Sequence, residues 1–223
     1  MPRFARLVGP GLPHHIVQRG NNRQTIFFDD NDRLLYLDFL EKYCDECACA
    51  INAYCLMLNH VHMVLIPEYG NSLAKAMQKI SMRYAQYINK KYRRTGRLWE
   101  CRYYSSIVQK DAYLWAVCRY VERNPVRAKM VDLPEEFTWS SAGREYQIIP
   151  KRYNFITPIW HDEHEKEAYI NYRNMPDDDD ALKRIRESSH QGKPIGQDEF
   201  IQYIANRAGI ELILRPRGRP WKR

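Results

Sequence analysis

Residues 51–66, INAYCLMLNHVHMVLI, decide the fold. They contain two apolar runs of strand length, and Leu58 and Asn59 lie between the runs, where the chain must turn. Pro67 ends the second run, because proline has no backbone N–H to donate to a neighbouring strand. The stretch therefore predicts two core strands, at residues 51–57 and 60–66, joined by a turn.

Outward from these strands, the chain alternates between strand and helix patterns. Further strands are predicted at residues 14–19, 26–28 and 103–108, with a turn over the sequence GNNRQ at 20–24. The predicted helices run from an Asn31 cap to about Ala48, from Leu73 to Tyr92 after a Ser72 cap, and from about Asp111 to Arg123, ending before Pro125. The order β-β-α-β-β-α-β-α predicts an α+β fold with an antiparallel sheet.

The composition is that of a folded, basic chain. Its 223 residues are 44% hydrophobic, which is enough to bury a core and excludes a disordered protein. Neither a transmembrane run nor a signal peptide is apparent, so we expect a cytoplasmic protein. A net charge of +8 and a pI of about 9.2 suggest a polyanionic partner, and nucleic acid is the usual one.

The spacing Cys44-x2-Cys47-x-Cys49 invites a zinc interpretation. A second Cys/His pair at zinc-finger spacing does not follow it, and Cys44 and Cys47 fall at the end of a predicted amphipathic helix. We therefore favour small, buried, reduced thiols over a zinc site.

His60 and His62 are the first candidates for chemistry. Residues i and i+2 of a strand point to the same face, so the two imidazoles stand side by side while Val61 points into the core. Such a pair forms half of a site for a divalent cation, although an HxH pattern alone more often belongs to surface or packed histidines. His14 and His15 are adjacent and point to opposite faces, so they cannot be ligands together; one of them could approach the site or the DNA.

Tyr120 and Asn124 form a second candidate pair. Four residues apart on a helix, they share one face. Asn124 offers a carbonyl oxygen, which is a suitable ligand for Mg²⁺ or Mn²⁺, and Tyr120 offers a phenol. By itself, Tyr120 could equally be an ordinary half-buried tyrosine, since the chain contains 16 tyrosines.

Three motifs carry a family resemblance: LNHVHMVLIP at 58–67, GRLWECRYYSSIV at 96–108 and YVERNPVRA at 120–128. In this order and spacing they resemble the single-tyrosine HUH transposases, and in particular the REP-associated branch, over residues 12–145. The resemblance implies a ferredoxin-like sheet that carries the histidine pair, with a helix presenting the tyrosine across the site.

The resemblance also implies roles for individual residues. Tyr120 is the expected nucleophile, and His60, His62 and Asn124 are the expected ligands of Mg²⁺ or Mn²⁺. Many relatives have Gln at the position of Asn124. Asparagine offers the same carbonyl oxygen, but its side chain is one methylene shorter than that of glutamine. The implied activity is metal-dependent cleavage and transfer of single-stranded DNA at hairpins of repetitive extragenic palindromes, through a 5′-phosphotyrosine. A nearby arginine, Arg119 or Arg123, could activate the phenol.

A basic segment supplies candidate DNA contacts. Twelve basic residues and only three acidic ones lie between Arg83 and Lys129, interleaved with aromatic side chains that can stack on bases. The alternative is a solvated basic helix face over an aromatic core. The predicted phosphate contacts are Lys90, Lys91, Arg93, Arg94, Arg97 and Arg102.

The sequence changes character after about Gly143. We expect an HUH domain at residues 1–148 and a C-terminal extension at 149–223, in which 197–208 form a short helix. The tail Arg217-Gly218-Arg219-Pro220 resembles an AT-hook core, which could lie in an A·T-rich minor groove, and Arg217 and Arg219 are its candidate contacts. A disordered basic terminus explains the tail equally well.

Two other functions remain to be weighed. A catalytically silent DNA-binding protein derived from a transposase is the alternative to an enzyme, and intact His60, His62 and Tyr120 argue against it. A small-molecule metallohydrolase explains neither the basic segment nor the tail. We expect a DNA partner, no membrane partner and association with the nucleoid, whereas the sequence does not decide between a monomer and a homodimer.

Overall fold

The sheet determines the architecture of the N-terminal half. A computed structural model describes residues 6–110, 112–143 and 155–208. Its first eight strands and helices are β1 (His14–Arg19), α1 (Asp30–Glu46), β2 (Cys49–Met57), β3 (His60–Pro67), α2 (Ser72–Lys91), β4 (Tyr104–Ile107), α3 (Ala112–Glu122) and α4 (Asn124–Arg127). The strands form one antiparallel sheet in the order β2-β3-β1-β4. This β-α-β-β-α-β arrangement is ferredoxin-like and confirms the predicted α+β class.

The predicted strand at residues 26–28 is wrong. Ile26 and Phe27 are buried, which explains their apolar character, but both backbone N–H groups donate to the carbonyl of Leu58 in the turn between β2 and β3, at 2.9 and 3.3 Å. With both donors directed at one carbonyl, the segment cannot pair as a strand. Removing this strand from the predicted order leaves the ferredoxin-like sequence of elements.

Helix α1 begins two residues earlier than the predicted Asn31 cap implies. Asp29 rather than Asn31 is the N-cap: its carboxylate accepts from the backbone N–H of Asp32 at 2.9 Å. The Asp32 carboxylate accepts in return from the N–H of Asp29 at 3.3 Å and from that of Phe28 at 2.8 Å. Two carboxylates thus satisfy donors that the first turn of a helix leaves unpaired.

The two faces of the sheet are covered by different helices. Val61, Met63 and Leu65 point to one core, which they share with α1 and α2. Val64 points to the other core, which is closed mainly by α3 and by helices from the C-terminal part of the chain. Because side chains alternate along β3, His60 and His62 lie on the same face as Val64, toward α3.

The three cysteines whose spacing invites a zinc interpretation belong to the core. Cys44, Cys47 and Cys49 are all buried and are packed with apolar side chains of α1 and α2. Burial raises the pKa of the Cys49 thiol to about 12 and that of Cys44 well above its ordinary value, so both are neutral thiols at physiological pH.

Residues 155–208 add three helices, α5 (Glu163–Asn174), α6 (Asp179–Gln191) and α7 (Asp198–Ala208). Helix α7 confirms the predicted short helix. Helix α5 contacts α3, and α6 contacts α3, β1 and β4. The predicted boundary at 148/149 lies outside the described residues, as do Arg217 and Arg219 of the tail. Among the helices that the structure describes, none is long and apolar enough to cross a membrane.

Candidate active site

A cleft of about 290 Å³ opens between the ends of β1 and β3 and the helices α3, α4 and α6. All four residues predicted to carry the chemistry line it: His60, His62, Tyr120 and Asn124. The structure thus brings together side chains that lie up to 64 positions apart in sequence. Their convergence depends on α3 crossing the histidine-bearing face of the sheet.

His60 presents one bare ring nitrogen to the cleft. Its Nδ1 lies 2.7 Å from the Asn59 side-chain oxygen, and the Asn59 amide nitrogen donates to the Arg23 carbonyl at 3.0 Å, which fixes the orientation of that amide. His60 Nδ1 must therefore carry the proton. Burial, assisted by the charge of Arg19, lowers the pKa of His60 to about 4. The imidazole is neutral at pH 7, so Nε2 keeps its lone pair.

His62 lies beside His60, with ring centroids 5.0 Å apart, and only 6% of its surface is exposed. Burial, with smaller contributions from the neighbouring imidazoles of His60 and His15, holds its pKa well below the ordinary value. Its Nδ1 lies 3.1 Å from His15 Nε2, so Nε2 is the ring nitrogen left for another partner.

Tyr120 and Asn124 face the histidines from the helical side. The Tyr120 ring stands edge-on to His62, with centroids 5.8 Å apart. Asn124 donates through Nδ2 to the carbonyls of Tyr120 and Val121 at 3.0 and 3.1 Å. Both amide protons are thereby used on the helix, and the carbonyl oxygen is the polar atom that remains for the cleft.

Of the two adjacent histidines, His15 lines the cleft and His14 does not. His15 points to the cleft, where its ring lies nearly parallel to that of His62, with centroids 5.3 Å apart, and meets Tyr120 edge-on at 5.5 Å. His14 points to the other face of the sheet and bonds Ser105 at 3.1 Å. Alternation predicted that the two would separate, but both are fully buried, so burial alone could not tell which one joins the site.

The arginine beside the tyrosine differs from those expected. Arg119 donates to the carbonyls of Tyr172, Met175 and Pro176, and Arg123 pairs with Asp177 at 3.0 Å, so both are held by the end of α5 and the loop that follows it. Arg127 also approaches Asp177, at 3.7 Å, but its guanidinium lies over the Tyr120 ring, 4.4 Å from its centroid, and lines the cleft. The expectation for Arg119 and Arg123 is therefore wrong. The sequence signal that could have found Arg127 is its place in the motif YVERNPVRA, seven residues after Tyr120.

The predicted phosphate contacts fall into two groups. Lys90, Arg93, Arg97 and Arg102 are exposed. Lys91 pairs with Asp29 and with the fully buried Asp32, both at 2.7 Å, and Arg94 donates to Gln24 and lies over the Phe28 ring. The first group is thus available to a ligand, while Lys91 and Arg94 are engaged within the protein.

The basic loop after α2 lies beside the histidine end of the cleft. Arg19, the last residue of β1, is paired in register with His60. The Arg19 carbonyl accepts from the N–H of Glu100 at 3.0 Å, and the N–H of Asn21 donates to the carbonyl of Leu98 at 2.7 Å. These bonds bring residues 98–100 of the loop next to the end of β1 at the site.

Helix α6 contributes three cleft residues that the sequence did not indicate: Arg186, Ser189 and His190. They lie beyond the three motifs, and only the packing of α6 on β1 and β4 brings them to the site. No cluster of three or more His, Cys, Asp or Glu side chains in the described ranges could hold a metal ion. The candidate donors are therefore two imidazoles and one amide oxygen.

A ferredoxin-like sheet with a histidine pair facing a helical tyrosine is the arrangement that the motifs imply for a transposase. A family model described as "Transposase IS200 like" matches residues 10–124, just over half of the chain. The chain belongs to this family of transposases, which are enzymes that act on DNA.

Individual relatives are distant. A curated REP-associated tyrosine transposase of Haemophilus influenzae is 21% identical over 147 residues, which cover 57% of this chain and 83% of the relative. A solved structure of a REP-associated tyrosine transposase bound to a REP hairpin is similar with a TM-score of 0.56 and 16% identity, over 73% of this chain and 92% of that one. A transposase structure from Deinococcus radiodurans R1 has a TM-score of 0.38 at 18% identity, covering 58% and 92% of the two chains. The structure of the hairpin-bound REP-associated tyrosine transposase supports the ferredoxin-like fold.

Proposed function

We propose that this protein is a metal-dependent endonuclease and strand transferase of single-stranded DNA, with Tyr120 as its nucleophile. One observation carries the proposal: the Tyr120 ring stands edge-on to His62 in a cleft that His60 and Asn124 also line. A phenol next to two neutral imidazoles and an amide oxygen provides a nucleophile and three donors for a hard or borderline cation.

The donor set fits Mg²⁺ or Mn²⁺. His60 and His62 each offer Nε2, and Asn124 offers Oδ1, because their other polar atoms are engaged by Asn59, by His15 and by the α3 carbonyls. Three protein donors leave coordination positions open for substrate oxygens. A divalent cation bound there would withdraw charge from a nonbridging phosphate oxygen and so favour attack at phosphorus.

Tyr120 would carry the covalent step. Its phenolic oxygen forms a bond to phosphorus as the bond from phosphorus to the 3′-oxygen breaks. The phenol loses its proton and the 3′-oxygen gains one, which leaves a 5′-phosphotyrosine and a free 3′-OH. The reverse reaction with another 3′-OH rejoins strands without a further energy source, since the phosphodiester energy is kept in the tyrosine link.

Two arginines extend the site toward the substrate backbone. Arg127 lies over the Tyr120 ring, and its charge stabilises electron density that develops on the phenol. Arg186 lines the same cleft from α6 and is exposed. Both offer guanidinium donors to phosphates next to the scissile one.

We propose a hairpin with a single-stranded flank as the substrate. The solved relative was bound to a REP hairpin. In this chain, Lys90, Arg93, Arg97 and Arg102 are exposed around a loop that adjoins the His60 end of the cleft. Such a surface suits a DNA backbone that leads a cleavable strand to the tyrosine.

The test is formation of a covalent DNA adduct. Labelled single-stranded hairpins from repeats that flank the gene are incubated with the protein and Mn²⁺ or Mg²⁺, and adducts that survive SDS are counted. We expect a metal-dependent adduct that is lost in Tyr120→Phe and in His60→Ala. Tyr113→Phe, on the same helix, is the matched control and should retain it.

The outcomes separate the candidate functions. An adduct that persists in Tyr120→Phe and disappears in Tyr113→Phe would move the nucleophile to Tyr113. Tight hairpin binding without an adduct on any repeat would replace the enzyme with a silent DNA-binding protein.

A further inference from the structure

A chain of hydrogen bonds leads from α6 into the histidine pair. Ser189 Oγ lies 2.6 Å from the carbonyl oxygen of Ile185 and 2.7 Å from His15 Nδ1, and His15 Nε2 lies 3.1 Å from His62 Nδ1. The side chains of Ser189, His15 and His62 are all more than nine-tenths buried. The two imidazole rings are nearly parallel, with 13° between their planes.

Only one arrangement of protons satisfies every bond in this chain. The Ile185 carbonyl can only accept, so the Ser189 hydroxyl must donate its single proton to it. Ser189 Oγ then accepts from His15, whose proton must lie on Nδ1.

The same reasoning continues to His62. The His15 ring is only 1% exposed, and removal from water disfavours a charged imidazole, so the ring is neutral and has a bare Nε2. That nitrogen accepts from His62, whose proton must therefore lie on Nδ1. The His62 ring is only 6% exposed and is neutral for the same reason, so its Nε2 retains the lone pair.

We propose that Ser189 and His15 are positioning residues that hold His62 in the Nδ1–H tautomer and keep its Nε2 free to bind a divalent cation. The metal-binding role of His62 in this inference rests on the proposed function. It makes α6, which lies outside the matched family region, a working part of the site.

The effect of Ser189 follows from what happens without its oxygen. His15 would then be free to carry its proton on Nε2 and to donate it to His62 Nδ1. His62 would in turn have to hold its proton on Nε2, the atom needed for the cation. Hydrogen-bond partners behind a metal-bound histidine typically change metal affinity by about 10- to 100-fold when they are removed.

The experiment measures the tautomer and the metal affinity separately in the full chain. Long-range ¹H–¹⁵N correlation spectra of the metal-free protein distinguish protonated from bare ring nitrogens, and titration calorimetry with MnCl₂ gives the affinity. The variants are Ser189→Ala and Ser189→Thr, with Ser188→Ala as the matched control, since the Ser188 hydroxyl is not part of the chain of hydrogen bonds.

We expect His62 to be the Nδ1–H tautomer in the wild type and to gain Nε2–H in Ser189→Ala, with Mn²⁺ binding weakened about 10- to 100-fold. Ser189→Thr, which keeps the acceptor oxygen, and Ser188→Ala should both resemble the wild type. In a His15→Ala background, Ser189→Ala should weaken binding no further, because Ser189 acts through His15.

Two results would overturn the inference: a wild-type His62 with its proton on Nε2, or a His62 tautomer that Ser189→Ala leaves unchanged. A wild type that binds no Mn²⁺ refutes the proposed metal site instead, and the tautomer comparison then still decides whether Ser189 orients His62.

Discussion

Replacing Arg173 with methionine tests whether the C-terminal helices and the site form one cooperative unit. Arg173 lies in α5 and is only 2% exposed. Its Nη1 lies 3.7 Å from Glu122 Oε2, and its Nη2 lies 3.6 Å from Glu135 Oε2. Glu122 is on α3, two residues after Tyr120, so this ion cluster ties α5 to the helix that carries the proposed nucleophile.

The magnitude follows from the charges that are left behind. Breaking a buried ion pair from one side costs about 3–5 kcal/mol, because the remaining charge stays buried without compensation. Here two carboxylates lose the same cation. Glu122 keeps hydrogen bonds from Tyr169 at 2.7 Å and from Ser141 at 2.6 Å, which reduce the cost of removing the Arg173 cation. We therefore expect Arg173→Met to lower the free energy of unfolding by about 3 kcal/mol.

Urea denaturation followed by tryptophan fluorescence and by circular dichroism measures this loss. We expect one transition that coincides for both probes. Lys166→Met is the control, because Lys166 lies on the same helix in a surface pair with Glu163 and such pairs contribute little. Adding Glu122→Gln to Arg173→Met should recover part of the loss, since it removes one of the two buried carboxylate charges that Arg173 contacts. A loss below about 1 kcal/mol, or separate transitions for the two probes, would refute the reasoning.

Three further predictions concern the sheet, the basic surface and the nucleophile. Burial lowers the pKa of His14 to about 4. Between pH 6.5 and 4 the unfolded chain therefore binds more protons than the folded one, and acidification over this range should lower the free energy of unfolding by about 3 kcal/mol. His14→Gln should reduce this loss, which is measured by comparing denaturation at pH 6.5 with denaturation at pH 4. Arg93→Ala should reduce the slope of log affinity for DNA against log salt by about 1 in binding titrations, whereas Lys91→Met should leave the slope unchanged and lower the urea midpoint, since Lys91 pairs with buried Asp32. Arg127→Leu should slow adduct formation about tenfold at saturating Mn²⁺, and an unchanged rate would remove Arg127 from the site.

Local spacing was a sound guide to the site. Tyr120 and Asn124 share a helical face because of the 3.6-residue period, and His60 and His62 share a strand face because of the two-residue period. These relations depend on backbone geometry alone, so they hold wherever the elements pack.

Local pattern failed where long-range contacts compete with it. Ile26 and Phe27 have strand-like side chains, yet their backbone donors go to Leu58, a residue of a distant turn. Lys91 belongs to a basic run, yet it forms an ion pair with buried Asp32. In each case the deciding partner is more than 30 residues away, where no periodicity reaches.

The sequence by itself determined the fold class, the family resemblance and the four proposed catalytic and metal-binding positions, because each follows from short motifs and local backbone periods. Only the tertiary structure decided that His15 rather than His14 joins the site, that Arg127 faces Tyr120, and that Ser189 reaches His15 across 174 positions. The physical reason is that these choices depend on which sheet face each helix covers, and packing of the whole chain sets that.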